Sequence, residues 1–166
     1  MEVILSRRSI RKYTKQAVPD KLIEDLLKAA MSAPSAGNEQ PWHFVVITDR
    51  KIMEEIASFH PHAGMLKEAP AAILVCSDMK LDAHKGFWVQ DCSAATQNIL
   101  LAAHANGLGA VWLAMYPREE RCNTMKKLLG MPEDVVLLSL ISLGYPGEEK
   151  PSEDRFNSAR IHRDRW

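Results

Sequence analysis

At 166 residues, 46% hydrophobic and 25% charged, the chain has the length for one domain with a real core, and 21 Lys plus Arg balance 21 Asp plus Glu. That neutrality speaks against a nucleic-acid partner, which favours an extended basic face; no apolar run approaches a membrane span, which speaks against a membrane partner. Three widely spaced cysteines, Cys76, Cys92 and Cys122, form no CxxC pair, and the N-terminus lacks the apolar stretch of a signal peptide, so the expectation is a soluble, cytoplasmic protein with reduced packing thiols.

In chain order, residues 2–8 read as a short helix leading into Arg7-Arg8-Ser9-Ile10-Arg11-Lys12-Tyr13. A local basic cluster on a neutral chain fits a compact anion such as a phosphate monoester, since Arg offers a planar fork of donors and Ser a hydroxyl. A solvated basic patch fits the cluster equally. Pro19 and Asp20 open a helix whose apolar positions Leu22, Ile23, Leu26, Leu27 and Ala30 follow helical spacing to about Met31. Ser32 to Asn38 is a loop of small residues and breakers. Trp42 to Thr48 is a strand by its aromatic and β-branched content, and Thr48 or Asp49 caps a helix near 50–59.

His60-Pro61-His62-Ala63-Gly64 breaks the pattern before a helical turn at Met65 to Glu68. Ala71 to Cys76 is apolar throughout, as in a strand covered on both faces. The helix expected at about Phe87 to Asn106 is apolar almost all round in its second half, so it belongs in a core or a subunit interface. Gly107 stands as its C′ residue. Ala110 to Met115 is a strand, Pro117 to Leu129 a helix, Val135 to Leu143 the last strand, and Gly144-Tyr145-Pro146-Gly147 a turn into a charged tail. A terminal Trp166 is expected to dock, either internally or on a partner subunit. Together these make a single α+β domain, residues 1–166.

The loop from Ser32 to Trp42 carries Ser35, Asn38 and Gln40 among tiny residues between two prolines. It suits close approach of a flat ligand, and equally a turn-rich connector. Gly107-Leu108-Gly109 lacks the register of a dinucleotide fingerprint. His60 and His62 come with no HExxH or Cys pair, so they read as structural or surface residues, and no metal site is expected. There is no GxSxG elbow, and Cys92 and His104 lie three turns apart on one helix. Asp91 and Asn98 read as helix-surface residues rather than buried polar groups. With no evident acid, nucleophile or metal cage, an enzyme built on this chain would take its chemistry from a cofactor.

Arg7-Arg8-Ser9-x-Arg11-x-Tyr13, Ser32-Ala33-Pro34-Ser35-x-x-Asn38-x-Gln40-Pro41-Trp42-His43-Phe44, Gly107 to Trp112, Leu143 to Pro146 and Arg160-Ile161-His162 together resemble, in order, the nitroreductase family of FMN-dependent flavoproteins. The resemblance spans essentially the whole chain and is closest to the short, minimal members. It implies a central, mainly antiparallel mixed sheet flanked by helices, in an intertwined homodimer with FMN at the interface. The long apolar helix would then form the dimer core, and the tail would embrace the partner. By the same resemblance, Arg7, Arg8, Ser9 and Arg11 match the phosphate and ribityl contacts, with Arg160 a second phosphate ligand. Pro34, Ser35, Ala36 and Asn38, with Gln40 close by, match the loop laid on the flavin by the other subunit. Trp112, Leu113, Ala114 and Met115 match the strand end along the isoalloxazine, where a backbone N–H points at N5. Larger members carry an acidic residue and a glycine at positions matching Ala114 and Met115, and a Lys where this chain has Ser158. The implied activity is NAD(P)H oxidation coupled by a ping-pong mechanism to electron-poor acceptors such as nitroaromatics or quinones, with no protein acid or base named. The alternatives are other flavin chemistry on the same scaffold (dehalogenation, azoline oxidation, flavin fragmentation) or a non-enzymatic flavin-binding or redox-sensing protein.

Overall fold

The structure, a computed structural model, describes all residues from Met1 to Trp166. Helices α1 (Glu2–Ser6), α2 (Asp20–Met31), α3 (Arg50–Phe59), α4 (Trp88–Ala105) and α5 (Glu119–Leu129) surround strands β1 (Trp42–Ile47), β2 (Ala71–Asp78), β3 (Gly109–Ala114) and β4 (Val135–Gly144). Asp49 caps α3, its carboxylate accepting the Lys51 and Ile52 N–H groups. At the end of α4, Gly107 takes φ +74°, and the Gly107 and Leu108 N–H groups donate to the His104 and Ala103 carbonyls. That pairing closes the helix and fixes Gly107 as the left-handed C′ residue.

The strands lie in the order β1-β2-β4-β3, antiparallel throughout. Mixed character enters only through the N-terminal arm, where Ser9 bridges Ala110 in parallel. Alternation along β2 sends Ala71, Ile73 and Val75 to one core with α2 and α4, and Ala72, Leu74 and Cys76 to a second core with α3 and α5. Both faces of the sheet are therefore covered, which explains the unbroken apolar run of β2.

The ladder between β2 and β4 carries one irregularity. Val75 pairs Ser139 while Cys76 pairs Leu137, leaving Leu138 as an extra residue in β4. The bulge turns both Leu138 and Ser139 toward α4, and the Ser139 hydroxyl meets the Thr96 hydroxyl at 2.9 Å. The Leu138 carbonyl accepts N–H groups from Met115 and Tyr116, each at 3.1 Å, and β3 ends there.

Two sequence expectations need correction. Asp91 is buried, 4% exposed, with Oδ1 accepting the Ala36 N–H at 3.0 Å. Asn98 also turns inward and donates to the Ala29 carbonyl at 3.0 Å. Both serve the packing of α4 against the loop and helix before it. Of the two docking places expected for Trp166, its own chain supplies none: the ring is fully exposed and stacks only on His162, 4.2 Å away.

The arm runs from Ser9 to Thr14 along the start of β3 and the 145–147 turn, held by Ile10 N–H to the Ala110 carbonyl and Thr14 N–H to the Tyr145 carbonyl. Gly109 permits this approach, because a Cβ there would lie 2.6 Å from Ile10 Cγ2. Gly109→Ala is expected to destabilise the fold by about 1–3 kcal/mol through this overpacking. Urea denaturation checks it; an unchanged midpoint would mean the arm is not seated as described.

Candidate functional site

Strand β3 is a sheet edge, and its outer side is only partly paired. The Ala110 carbonyl is taken by Ile10 at 3.1 Å, and alternation points Trp112 and Ala114 the same way. The Ala114 carbonyl accepts from His60 Nε2 at 3.2 Å and from the Arg121 guanidinium. The Trp112 N–H and C=O and the Ala114 N–H are left on the open edge. They border a cleft of about 1010 Å³ lined also by Pro61, His62, Gly64, Met65 and Glu68 and by Arg11 and Lys12 of the arm. A flat polar molecule finds there a ladder of backbone groups along one edge and positive charge at one end.

A second cleft of about 520 Å³ lies beside it in sequence, lined by Ile4, Leu5, Arg7, Arg8 and residues 152–156 of the tail. Arg8 is engaged by Glu153, 2.7 Å away, and donates to the Pro151 carbonyl. Arg7 is not so provided: its Nη1 is buried without a partner, and burial, with Arg155 and Arg8 nearby, lowers its pKa. A buried guanidinium N–H with no acceptor is costly, and an anion would relieve it. The Ser9 carbonyl holds Lys150 at 2.9 Å, while Arg11 is positioned through its backbone N–H, which donates to Glu148 at 2.6 Å.

Of the residues singled out in the sequence, the structure gathers Arg11, Trp112, Leu113 and Ala114 at the first cleft, and Arg7 and Arg8 at the second. Met115 is fully buried and its N–H is already given to Leu138, so on this edge the available donors are those of Trp112 and Ala114. Arg160 sits on the exposed tail. Pro34, Ser35, Ala36, Asn38 and Gln40 line neither cleft. Their loop is nonetheless rigidly built: Ser35 Oγ accepts the Gln40 N–H at 3.0 Å, and the Gln40 side chain donates to Asn38 at 3.2 Å. Asn38 and Gln40 hold φ of +57° and +51°, a region non-glycine residues avoid. Lys12, His60 and Arg121 were not singled out as ligand contacts. His60 stood in a visible His-Pro-His break, but only its place beside β3 gives it meaning.

Cys76 and Cys92 are buried packing thiols, their pKa values pushed up by burial to about 11 and about 12. No group of three His, Cys, Asp or Glu side chains is placed to hold a metal ion. No helix is long and apolar enough to cross a membrane.

The sequence model described as the nitroreductase family matches residues 4–63 and 60–145. The chain belongs to the nitroreductase family. It is 53% identical, over all of its own length and 98% of the other's, to an Archaeoglobus fulgidus protein named "Putative NADH dehydrogenase/NAD(P)H nitroreductase". It superposes with a TM-score of 0.92 on an FMN-dependent nitroreductase from Clostridium difficile, 28% identical, covering 99% of this chain and 98% of that one. An iodotyrosine deiodinase of Haliscomenobacter hydrossis is 30% identical over 86% of this chain and 77% of that protein.

Glu148 ties the arm to the site. The Arg11 N–H, and after it Lys150 at 3.2 Å, hold its carboxyl below the ordinary value of 4.5. A depressed carboxyl adds stability above its unfolded pKa, and that contribution is lost as pH falls through the folded value. Glu148→Gln is therefore expected to lower the urea midpoint at pH 7, with the gap from wild type closing below about pH 4. Parallel titrations of the two proteins check it; a gap independent of pH would contradict it.

Proposed function

We propose that this chain is an FMN-dependent NAD(P)H oxidoreductase that reduces small electron-poor acceptors such as nitroaromatics and quinones, and that it works as a homodimer with FMN at the interface. The observation that carries the reading is the open edge of β3, with the Ala114 N–H and the Trp112 backbone groups unpartnered beside Arg11 and Lys12. When bound, FMN supplies two-electron redox chemistry, hydride from NAD(P)H in and electrons to the acceptor out, through one shared slot in ping-pong order.

The residues present fit that group. Arg7, with its unpartnered buried nitrogen, joins Arg8, Ser9, Arg11 and Arg160 as the phosphate and ribityl side of the site. Trp112, Leu113 and Ala114 form the wall along the ring edge, with the buried Met115 behind it, and Ala114 donates its N–H. Fixed donors and cations on this side stabilise negative charge as it develops. Pro34, Ser35, Ala36, Asn38 and Gln40 reach the flavin from the second copy, because their own loop faces neither cleft. The exposed Ile4, Leu5, Phe156, Ile161 and Trp166 supply apolar surface for that partner to cover. No side chain is assigned as a proton donor; the chain binds, orients and shields.

The likeness to an iodotyrosine deiodinase supports a second reading, reductive deiodination on the same scaffold. Iodide release from iodotyrosine under reducing conditions separates the two.

Purified protein is expected to show the visible absorption of oxidised flavin and to oxidise NADH or NADPH only when a quinone or nitrofuran is added. Colourless protein that takes up no added FMN would refute the reading. Arg11→Ala is expected to weaken FMN binding by about tenfold, the effect of losing one charge-assisted contact in a partly exposed site. Equilibrium titration monitored by flavin fluorescence checks it.

A further inference from the structure

We propose that His60 is a positioning residue that ties the two walls of the cleft together and holds the Ala114 N–H in its binding direction, an inference resting on the flavin reading of that cleft. His60 ends α3 and is 1% exposed. Its two ring nitrogens serve two different walls. Nδ1 accepts the His62 backbone N–H at 3.2 Å, which places the ring proton on Nε2. Nε2 then donates to the Ala114 carbonyl at 3.2 Å.

The same carbonyl receives Arg121 from α5, while on the inner side the bulged Leu138 carbonyl holds the Met115 and Tyr116 N–H groups. Just beyond, the Tyr116 ring meets Trp88 of α4 edge-on, 5.0 Å between centroids. The Ala114 carbonyl and the Met115 and Tyr116 N–H groups are thus fixed, while the Ala114 N–H faces the cleft. In a strand the N–H and C=O of one residue project from the same side, so fixing the carbonyl fixes the direction of the donor beside it.

A residue needed only for packing requires no ring nitrogens, and burying an imidazole carries a desolvation cost that an apolar side chain avoids. Burial, then the Arg121 charge and that of His62, lower the His60 pKa and favour the neutral tautomer that this bridge requires.

The test uses the holoprotein, wild type first, then His60→Phe, His60→Gln and Arg121→Met. FMN release on dilution is followed by flavin fluorescence, the bound flavin by visible circular dichroism, and folding by the thermal midpoint. His60→Phe is expected to release FMN about tenfold faster and to change the visible dichroism, the size expected for one lost orienting contact. His60→Gln, whose amide N–H reaches the same carbonyl, is expected to restore both readouts. Arg121→Met removes the second donor from a partly exposed position and is expected to shift the dichroism the same way with an unchanged midpoint.

A His60→Phe protein with a lower midpoint but wild-type release and dichroism would make His60 a packing residue and overturn the proposal. Failure of Gln to restore the signal would do the same. If His60→Phe does not fold, Arg121→Met decides: altered flavin dichroism supports the clamp on Ala114, and a wild-type spectrum overturns it. Wild-type protein that binds no FMN would instead overturn the flavin reading itself.

Discussion

Everything distinctive about this fold converges on an unpaired strand edge. An exposed edge offers free N–H and C=O groups to any passing strand, and proteins normally cover or blunt it. Here the first third of β3 is covered by the arm at Ala110, and the last carbonyl, at Ala114, is closed by His60 and Arg121. What stays open is a short window at Trp112 and Ala114, bounded by cations from the arm and by the 61–65 segment. The window is too short to accept another strand and long enough to address one edge of a planar ring.

The two cores hold that window still. β3 alternates between them, Ala110 and Trp112 toward α2 and α4, Val111, Leu113 and Met115 toward α3 and α5. The β4 bulge at Leu138 ends the pairing one residue past Ala114, as bulges beside functional sites often do. One copy nevertheless supplies only half of the proposed site. The 34–40 loop keeps two non-glycine residues at positive φ, a strain of about 1–3 kcal/mol each, yet lines neither cleft in its own chain. Such strain is intelligible if the loop is shaped in advance for a surface that another copy brings to it. The tail, with Phe156, Ile161 and Trp166 exposed, fits the same arrangement.

Much of the fold was legible in the sequence because local rules and global packing agree. Helical spacing in α2, the Asp49 cap and the Gly107 stop all act within a turn of the residues that signal them. The apolar run of β2 and the basic cluster were equally readable. What escaped reading depends on contacts far apart in the chain. Asp91 looked like a surface helix residue because its partner, the Ala36 N–H, is 55 positions away. His60 read only as a structural or surface residue because Ala114, its partner, is 54 positions away. The bulge has no signature, since Leu137 and Leu138 are identical residues that differ only in which face each is turned to. The family resemblance carried the site further than composition could, and the structure takes the Met115 N–H out of the open edge by pairing it with Leu138, leaving those of Trp112 and Ala114.

The central claim is that one flavin per chain is held where two copies meet, each completing the other's open strand edge. Native mass spectrometry of the purified yellow protein tests this most directly. Two 18.7 kDa chains carrying two FMN molecules, with no flavin on any single chain, is the expected result. A single chain that retains FMN on its own would contradict it.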